Sequence, residues 1–306
     1  MAYAGQLDCY QKCNEIIDKF LSIKVDVTQV YRVTNFYGAQ LRKTDDVTQR
    51  TLPPLKNKEI LYAELDGSML QTRYDGWKEV KLGRVFKSGD CIDTNGESSW
   101  IRSSQYLAHL GDCKTFTGQL EDLLASYGNL GERLVFINDG ATWIRQWIED
   151  AFPNAISILD LYHALEHLHL FVNSFFVDKE KAKKWIEKQN ELLLKSEVKQ
   201  VIKNIKKLAP QNEAAKKLIA YYQVNAYRMD YKKYKKIGAG IIGSGAIDPI
   251  AIGSAHRTVI QKRMKLSGQR WSEDGAQNML RLRTGNMNGQ WDKVKQLTKN
   301  NFKKAA

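Results

Sequence analysis

Two stretches of the chain share one pattern, an apolar run that a single aspartate interrupts and a glycine follows at once. The first is ILYAELDGSML, residues 60–70, where Asp66 breaks the run, and the second is RLVFINDGATWI, residues 133–144, where Asp139 does. A carboxylate at the end of a buried strand loses hydration that a cation or a partner must replace. We therefore expect the two aspartates to lie side by side and to hold a divalent metal for phosphoryl-transfer chemistry. The alternative is that one of them caps the next helix.

Composition and charge narrow the class of protein. The chain has 306 residues, of which 43% are hydrophobic, and its net charge is +13. Such a chain has enough apolar residues for a sizeable core, and its excess of Lys and Arg favours a nucleic-acid partner. The other interpretation of the charge is that it only keeps the protein soluble. No apolar run is long enough to span a membrane and no secretory signal begins the chain, so we expect a cytoplasmic protein without a membrane partner.

Hydrophobic periodicity predicts the elements. We expect strands at 60–65, 76–86, near 98–102, 134–138 and 155–159. We expect helices at 7–23, 29–36, 104–127, 142–151, from 161 onward and at 256–265. Strands first, then strands alternating with helices, predict an α/β fold with a mixed sheet that helices flank.

The same pass along the chain divides it into four regions. Residues 1–57 are predicted to be helical, either a plain helical hairpin or part of a helix-turn-helix. We expect residues 58–177 to form the first part of the α/β core and residues 178–236 to form a Lys-rich helical insertion with Pro210 between two helices. We expect that insertion to be a solvated helical hairpin rather than a dedicated binding face. Residues 237–306 complete the core with a glycine-rich loop and basic helices.

His163 and His167 lie four residues apart on one predicted helix face, with Asp160 and Glu166 close by. The motif HALEH is not the HExxH of zinc proteases, because the glutamate stands in the wrong place. A structural or supporting role and a substrate contact stay equally open for the two histidines, and a zinc role is the weakest alternative.

Several motifs together resemble a known family. LDGS, INDGATWI, LDLYHALEHL and the stretch from GSGAI to SAHRTVIQKRMKLSGQRWSEDGAQNMLRLR are similar, in the same order, to DDE-type transposases of the ISKra4-like insertion-sequence family. The resemblance covers residues 25–306. It implies an RNase H-like fold and Mg²⁺-dependent cleavage and strand transfer of double-stranded DNA, with Mn²⁺ as a substitute. It also implies a homodimer on DNA and a nucleoid-associated bacterial protein.

The resemblance also assigns residues. Asp66 and Asp139 would be the first and second acids, and His163 and His167 would be the histidine pair of the family. The positions that would contact DNA are Arg257, Lys262, Arg263, Arg270 and Trp271, although Trp271 suits the core better than stacking on a base.

The chain departs from the family at the third acid. The family pattern has a Glu directly before the Ser-Ala-His helix, whereas this chain has Asp248, then PIAIG, then SAHRTV. Aligned from the left, Asp248 takes the third acidic position; aligned from the right, Gly253 takes it and the acid is lost. Pro249 cannot continue a helix from Asp248. The transposase therefore has two rivals, a non-catalytic DNA-binding protein derived from one and a nuclease of the same fold without strand transfer.

Overall fold

The computed structural model describes residues 1–44, 52–93, 99–236 and 255–305. In these residues a mixed sheet of five strands has the order β5-β2-β1-β6-β7, and β3 pairs with β4 in a separate hairpin. The strands are β1 Leu61–Gln71, β2 Trp77–Lys87, β3 Cys91–Asp93, β4 Ser99–Ile101, β5 Gln105–Leu110, β6 Leu134–Asn138 and β7 Ile156–Leu159.

Strand direction follows from the connections. β1 and β2 are antiparallel neighbours joined by a short turn, and β5 pairs antiparallel with β2 after the β3–β4 hairpin, whereas β6 and β7 run parallel to β1. Parallel neighbours need a crossover, and a helix precedes both β6 and β7. Every residue of β6 is buried, as expected for a central parallel strand. The predicted α/β fold, a mixed sheet flanked by helices, is confirmed.

The helices surround this sheet. They are α1 Ala2–Leu7, α2 Tyr10–Leu21, α3 Val27–Thr44, α4 Cys113–Ala125, α5 Thr142–Ala151, α6 Leu161–Phe175, α7 Lys179–Leu194, α8 Val198–Leu208, α9 Glu213–Asn225, α10 Tyr231–Lys236, α11 Glu273–Met287 and α12 Trp291–Ala305. A π-helical turn, Arg257–Gln261, continues into the short helix Lys262–Met264. Pro210 lies between α8 and α9, as predicted. Among the described helices, none combines the length and the apolar character that crossing a membrane requires.

Predicted boundaries were wrong at the start of one helix and at the end of β1. The helix predicted at 104–127 begins only at Cys113, because Gly111 takes a φ of +122° and the Asp112 carboxylate caps the helix that follows. The residues before Gly111 form β5, the third strand of the main sheet, whereas the stretch predicted near 98–102 supplies β4 of the small hairpin. β1 does not end at Asp66, because its pairing with β2 continues to Gln71.

Helix α3 continues past residue 36, where we expected it to end, and includes Gly38. Gly38 lies where α3 crosses α11, and a Cβ atom there would come within 2.6 Å of the carbonyl oxygen of Asn278. The glycine therefore permits close helix packing instead of ending the helix.

The two faces of the sheet are covered differently. Alternate residues of β1, such as Leu61 and Leu65, face a core shared with α4 and α5. On the other face, Tyr62 packs in a core that contains α6 to α10, and Leu70 packs in a second core with the π-helical turn and α11. The residues between them on that face, Glu64, Asp66 and Ser68, lie between the two cores.

Arg263 and Trp271, both predicted to contact DNA, lie inside this second core. The Arg263 side chain is 0% exposed, its Nε donates to the carbonyl oxygen of Gly5 at 2.8 Å, and its guanidinium lies over the rings of Tyr10 and Trp271. Trp271 is also buried and donates through Nε1 to the carbonyl oxygen of Met264 at 3.0 Å. The prediction of a DNA contact is therefore corrected for both residues, which join the N-terminal helices to the sheet. Arg257, Lys262 and Arg270 are exposed.

We predict that Arg263→Ala lowers the free energy of unfolding by about 2–4 kcal/mol, because it leaves a cavity and an unpaired carbonyl oxygen. Denaturant unfolding measures the change. The exposed Arg257→Ala is the control, with an expected change within about 0.5 kcal/mol. Equal stability of the two variants would contradict the packing role of Arg263.

Candidate active site

The register of three parallel strands brings three aspartates together. Pairing of β1 with β6 ends at Leu65 opposite Asn138, so the next residues are Asp66 and Asp139. Pairing of β6 with β7 ends at the residue before Asp160. Because these three strands run in the same direction, all three carboxylates emerge at the same end of the two pairings. The expected neighbours, Asp66 and Asp139, do lie side by side.

Asp160 was not assigned to this cluster from the sequence. It follows the apolar run ISIL just as Asp139 follows LVFIN, and that repetition was the available signal. From the sequence, Asp160 was grouped with His163 and His167 on one helix face instead.

Each of the three carboxylates is held in the same way. Oδ1 accepts a hydrogen bond from a backbone N–H one or two residues later, at 2.7 Å for Asp66, 2.9 Å for Asp139 and 3.1 Å for Asp160. Such local bonds fix the side-chain torsion. The buried Oδ2 of Asp160 makes no hydrogen bond to any residue that the structure describes. The site therefore contains a carboxylate oxygen whose lost hydration is not fully replaced.

The carboxylates lie within electrostatic range of one another. Burial raises the pKa of Asp66, the nearby His256 and His163 lower it, and the charge of Asp139 raises it further. Burial raises the pKa of Asp160 to about 6, against the lowering effect of His163, and the charges of Asp66 and Asp139 add to the rise. Like charges in a low-dielectric site disfavour ionisation, and a bound cation would reverse this effect.

Two histidines face the acids from different elements. His256, at the start of the π-helical turn, is buried and places Nε2 3.4 Å from Oδ2 of Asp66. His163, on α6, places Nε2 3.8 Å from Oδ2 of Asp160 and Nδ1 3.2 Å from Glu166. His256 received no role from the sequence, because only the folded chain brings it next to Asp66.

His163 and His167, which were predicted to act as a pair, lie in different surroundings. His163 joins the acids, whereas His167 is exposed and its ring lies 4.2 Å from the ring of Tyr221. Across the described ranges, no group of three or more His, Cys, Asp or Glu side chains has the arrangement of a ready metal site. Asp248 and Gly253, the candidates for the third acidic position, lie outside the described residues.

Cations border the acids on the side of the π-helical turn. The Lys265 ammonium donates to the hydroxyl of Ser68, two residues from Asp66 on the same strand face. Burial lowers the pKa of Lys265, and the charge of Asp66 opposes that change. Arg257 and Lys262 are exposed on the helical turns that lead from His256 towards this lysine.

Glu64 lies on the same face of β1 as Asp66, and its carboxyl oxygens make no hydrogen bond within the described part of the chain. Arg84 is its ion-pair partner, at 3.7 Å. Burial raises the pKa of Glu64 from 4.5 to about 7, although the charge of Arg84 lowers it. At a pH between 4.5 and 7, the Glu64 carboxyl is protonated in the folded state and ionised in the unfolded state. The contribution of Glu64 to the free energy of unfolding is therefore fully present below pH 4.5 and is lost as pH rises through 7.

We predict that the free energy of unfolding of the native chain, relative to that of Glu64→Gln, falls by about 3 kcal/mol between pH 4.5 and 7.5. Denaturant unfolding of both proteins in buffer free of divalent ions measures this difference. A constant difference over that range would contradict the raised pKa.

Comparison with known proteins places the chain in a family. A curated relative from Streptococcus gallolyticus, described as "UPF0236 protein in vanSb 3'region", is 22% identical over 261 residues. The aligned part covers 82% of this chain and 56% of the relative, so the chain spans little more than half the length of that protein. The family described as "Uncharacterised protein family (UPF0236)" matches residues 4–300, and the chain therefore belongs to UPF0236.

Proposed function

We propose that this chain is a DDE-type DNA transposase that cleaves DNA and transfers strands with the help of a divalent metal, as its ISKra4-like motifs imply. The observation that carries the proposal is the meeting of Asp66, Asp139 and Asp160 at the same end of three parallel strands. Sites that displace a phosphate oxygen in line use carboxylates grouped in this way to hold metal ions. The net charge of +13 favours DNA as the substrate.

The donor atoms suit Mg²⁺ or Mn²⁺. Carboxylate oxygens are the ligands that these hard cations prefer, and the Oδ2 of Asp160 lacks a hydrogen-bond partner among the described residues. Mg²⁺ commonly takes one or two carboxylates and completes its shell with water and substrate phosphate. Asp66 and Asp139 would hold the metal, with Asp160 or Asp248 as the further acid.

The metal and the residues around it would have different roles in the reaction. Bound Mg²⁺ would lower the pKa of the attacking water or 3′-hydroxyl and stabilise charge on the phosphate. The backbone N–H groups hold the three carboxylates in fixed orientations. His256 and His163 lie next to Asp66 and Asp160 and, when protonated, limit the repulsion between the acids. Burial lowers the pKa of His256, and the charge of Asp66 opposes that change.

DNA would approach past the π-helical turn. Exposed Arg257, Lys262 and Arg270 are close in sequence to Lys265, which itself lies beside Asp66. Contacts of these side chains with phosphates would position a duplex without reading its sequence. Joining two ends of one element would require two copies of the chain on the DNA.

We predict that the native chain, with Mg²⁺ or Mn²⁺, nicks a supercoiled plasmid that carries its own gene and the flanking DNA. Asp66→Asn and Asp139→Asn should each lower the rate on the order of 10²–10³-fold, because each removes charge from the metal site. Gel assays of nicking and of strand joining measure the two steps. Asp122→Asn, an exposed change on α4, is the matched control and should keep the native rate.

The outcomes separate the rival functions. Nicking without joining would favour a nuclease, and DNA binding without nicking would favour a non-catalytic binding protein. A chain that neither binds nor nicks DNA would contradict the proposal. Asp160→Asn and Asp248→Asn, compared in the same assay, would identify which acid completes the site.

We also predict that Arg257→Gln with Lys262→Gln weakens DNA binding and lowers the slope of log affinity against log salt. The slope should fall by about 0.9 for each phosphate that the protein no longer neutralises. Fluorescence anisotropy at several salt concentrations measures both changes. Arg133→Gln with Lys114→Gln removes the same charges from surface positions elsewhere. An equal weakening of DNA binding in the two double variants would mean that only the net charge of the protein matters, and not the positions of Arg257 and Lys262.

A further inference from the structure

Tyrosine hydroxyls of the helical region 178–236 bond to the backbone at the ends of β6 and β7. The Tyr221 hydroxyl, on α9, donates to the carbonyl oxygen of Asp139 at 2.7 Å. The Tyr231 hydroxyl, on α10, donates at 2.9 Å to the carbonyl oxygen of Leu159, the residue before Asp160. The two carbonyl groups therefore belong to the peptide units that carry, or lead into, two of the three carboxylates.

A buried arginine of the same region holds the residue before Asp139. Arg228 is 0% exposed, and its Nη1 donates to Oδ1 of Asn138 at 2.9 Å and lies 3.4 Å from the hydroxyl of Ser157. Its Nη2 donates to the side chain of Asn225. Oδ1 of Asn138 also accepts from the N–H of Gly140 at 3.1 Å, so the arginine fixes an amide that shapes the turn after β6.

The turn at Gly140, which follows β6, packs against Arg228. Gly140 has a φ of +88°, a conformation that residues with a side chain rarely adopt. A Cβ atom there would lie 3.0 Å from Cδ1 of Leu159 and 3.3 Å from Nη2 of Arg228. The N–H that follows holds Oδ1 of Asp139. The direction of the Asp139 carboxylate thus depends on a turn that packs on the helical region.

We propose that Tyr221, Arg228 and Tyr231, here named the strand-end clamp, position Asp139 and Asp160 for metal binding. The inference rests on the proposed function and gives the helical region a role in the site. The clamp residues are positioning residues, since they bond to backbone and amide groups behind the carboxylates. Carboxylates that repel one another at strand ends need such support, because loss of an outer partner lets the ligands move apart.

The chain offers a matched pair of variants for the test. Tyr221→Phe removes the hydroxyl at Asp139, and Tyr222→Phe removes the neighbouring hydroxyl, which donates to the carbonyl oxygen of Ala164 on α6 at 2.7 Å. Each variant loses one tyrosine hydrogen bond and keeps its ring, so the general loss of stability should be similar. Only the first loss touches a peptide that carries a site carboxylate.

The first measurement is Mn²⁺ binding, followed by the electron paramagnetic resonance signal of the free ion. We expect Tyr221→Phe to weaken Mn²⁺ affinity about tenfold and Tyr222→Phe to leave it near native. Asp66→Asn reports whether the bound ion occupies the proposed site. Native affinity in Tyr221→Phe, or an equal loss in both tyrosine variants, would overturn the clamp.

Hydrogen exchange of the backbone amides of residues 140 and 141 separates the clamp from the proposed function. Exchange should be about fivefold faster in Tyr221→Phe than in Tyr222→Phe, because one net hydrogen bond at the turn is lost. A native chain without Mn²⁺ binding would overturn the metal site of the proposed function. In that case equal exchange in the two variants would overturn the clamp as well.

Discussion

Like-charge repulsion among three carboxylates is the constraint around which the rest of the structure is arranged. The strand register fixes the positions of Asp66, Asp139 and Asp160 next to one another. Burial raises the pKa of Asp66 and of Asp160. Neighbouring buried acids are costly unless hydrogen bonds, opposite charges or a cation compensate them. The chain supplies a backbone N–H to each acid and places His256 and His163 opposite two of them.

The sheet can accommodate these polar groups because two separate cores share one of its faces. Tyr62 anchors the core under the helical region, and Leu70 anchors the core under α11. The side chains between them on β1 are polar, and each core contributes one histidine to the acids. The site is therefore a boundary between two packed units, and it depends on both for its shape.

The sequence predicted what local patterns determine and missed what distant packing determines. An apolar run ending in Asp-Gly was enough to identify Asp66 and Asp139, because strand burial and the charge of an aspartate are local properties. β5 was mistaken for helix because a short segment followed at once by a capped helix has no clear period of its own. Arg263 was assigned to DNA through the family resemblance, which could not reveal that its partners Tyr10 and Gly5 come from the N-terminal helices. His256 and the tyrosine hydroxyls could not be found in this way, since their partners lie far away in the chain.

The acids of this site and the phosphates of the proposed DNA substrate are both negatively charged and repel each other. A DNA phosphate near three carboxylates is repelled, whatever the net charge of the whole chain, because short-range charges in a partly buried site are weakly screened. In the proposed complex, Lys265 would offset part of that repulsion, and the exposed Arg257 and Lys262 would attract the DNA backbone. Lys265 lies beside the carboxylates rather than among them, so it would not reverse the sign of the charge where a phosphate reacts. A divalent cation held by the carboxylates would place positive charge directly against that phosphate, and two such ions would outweigh the three carboxylate charges. The proposed chemistry therefore requires the metal.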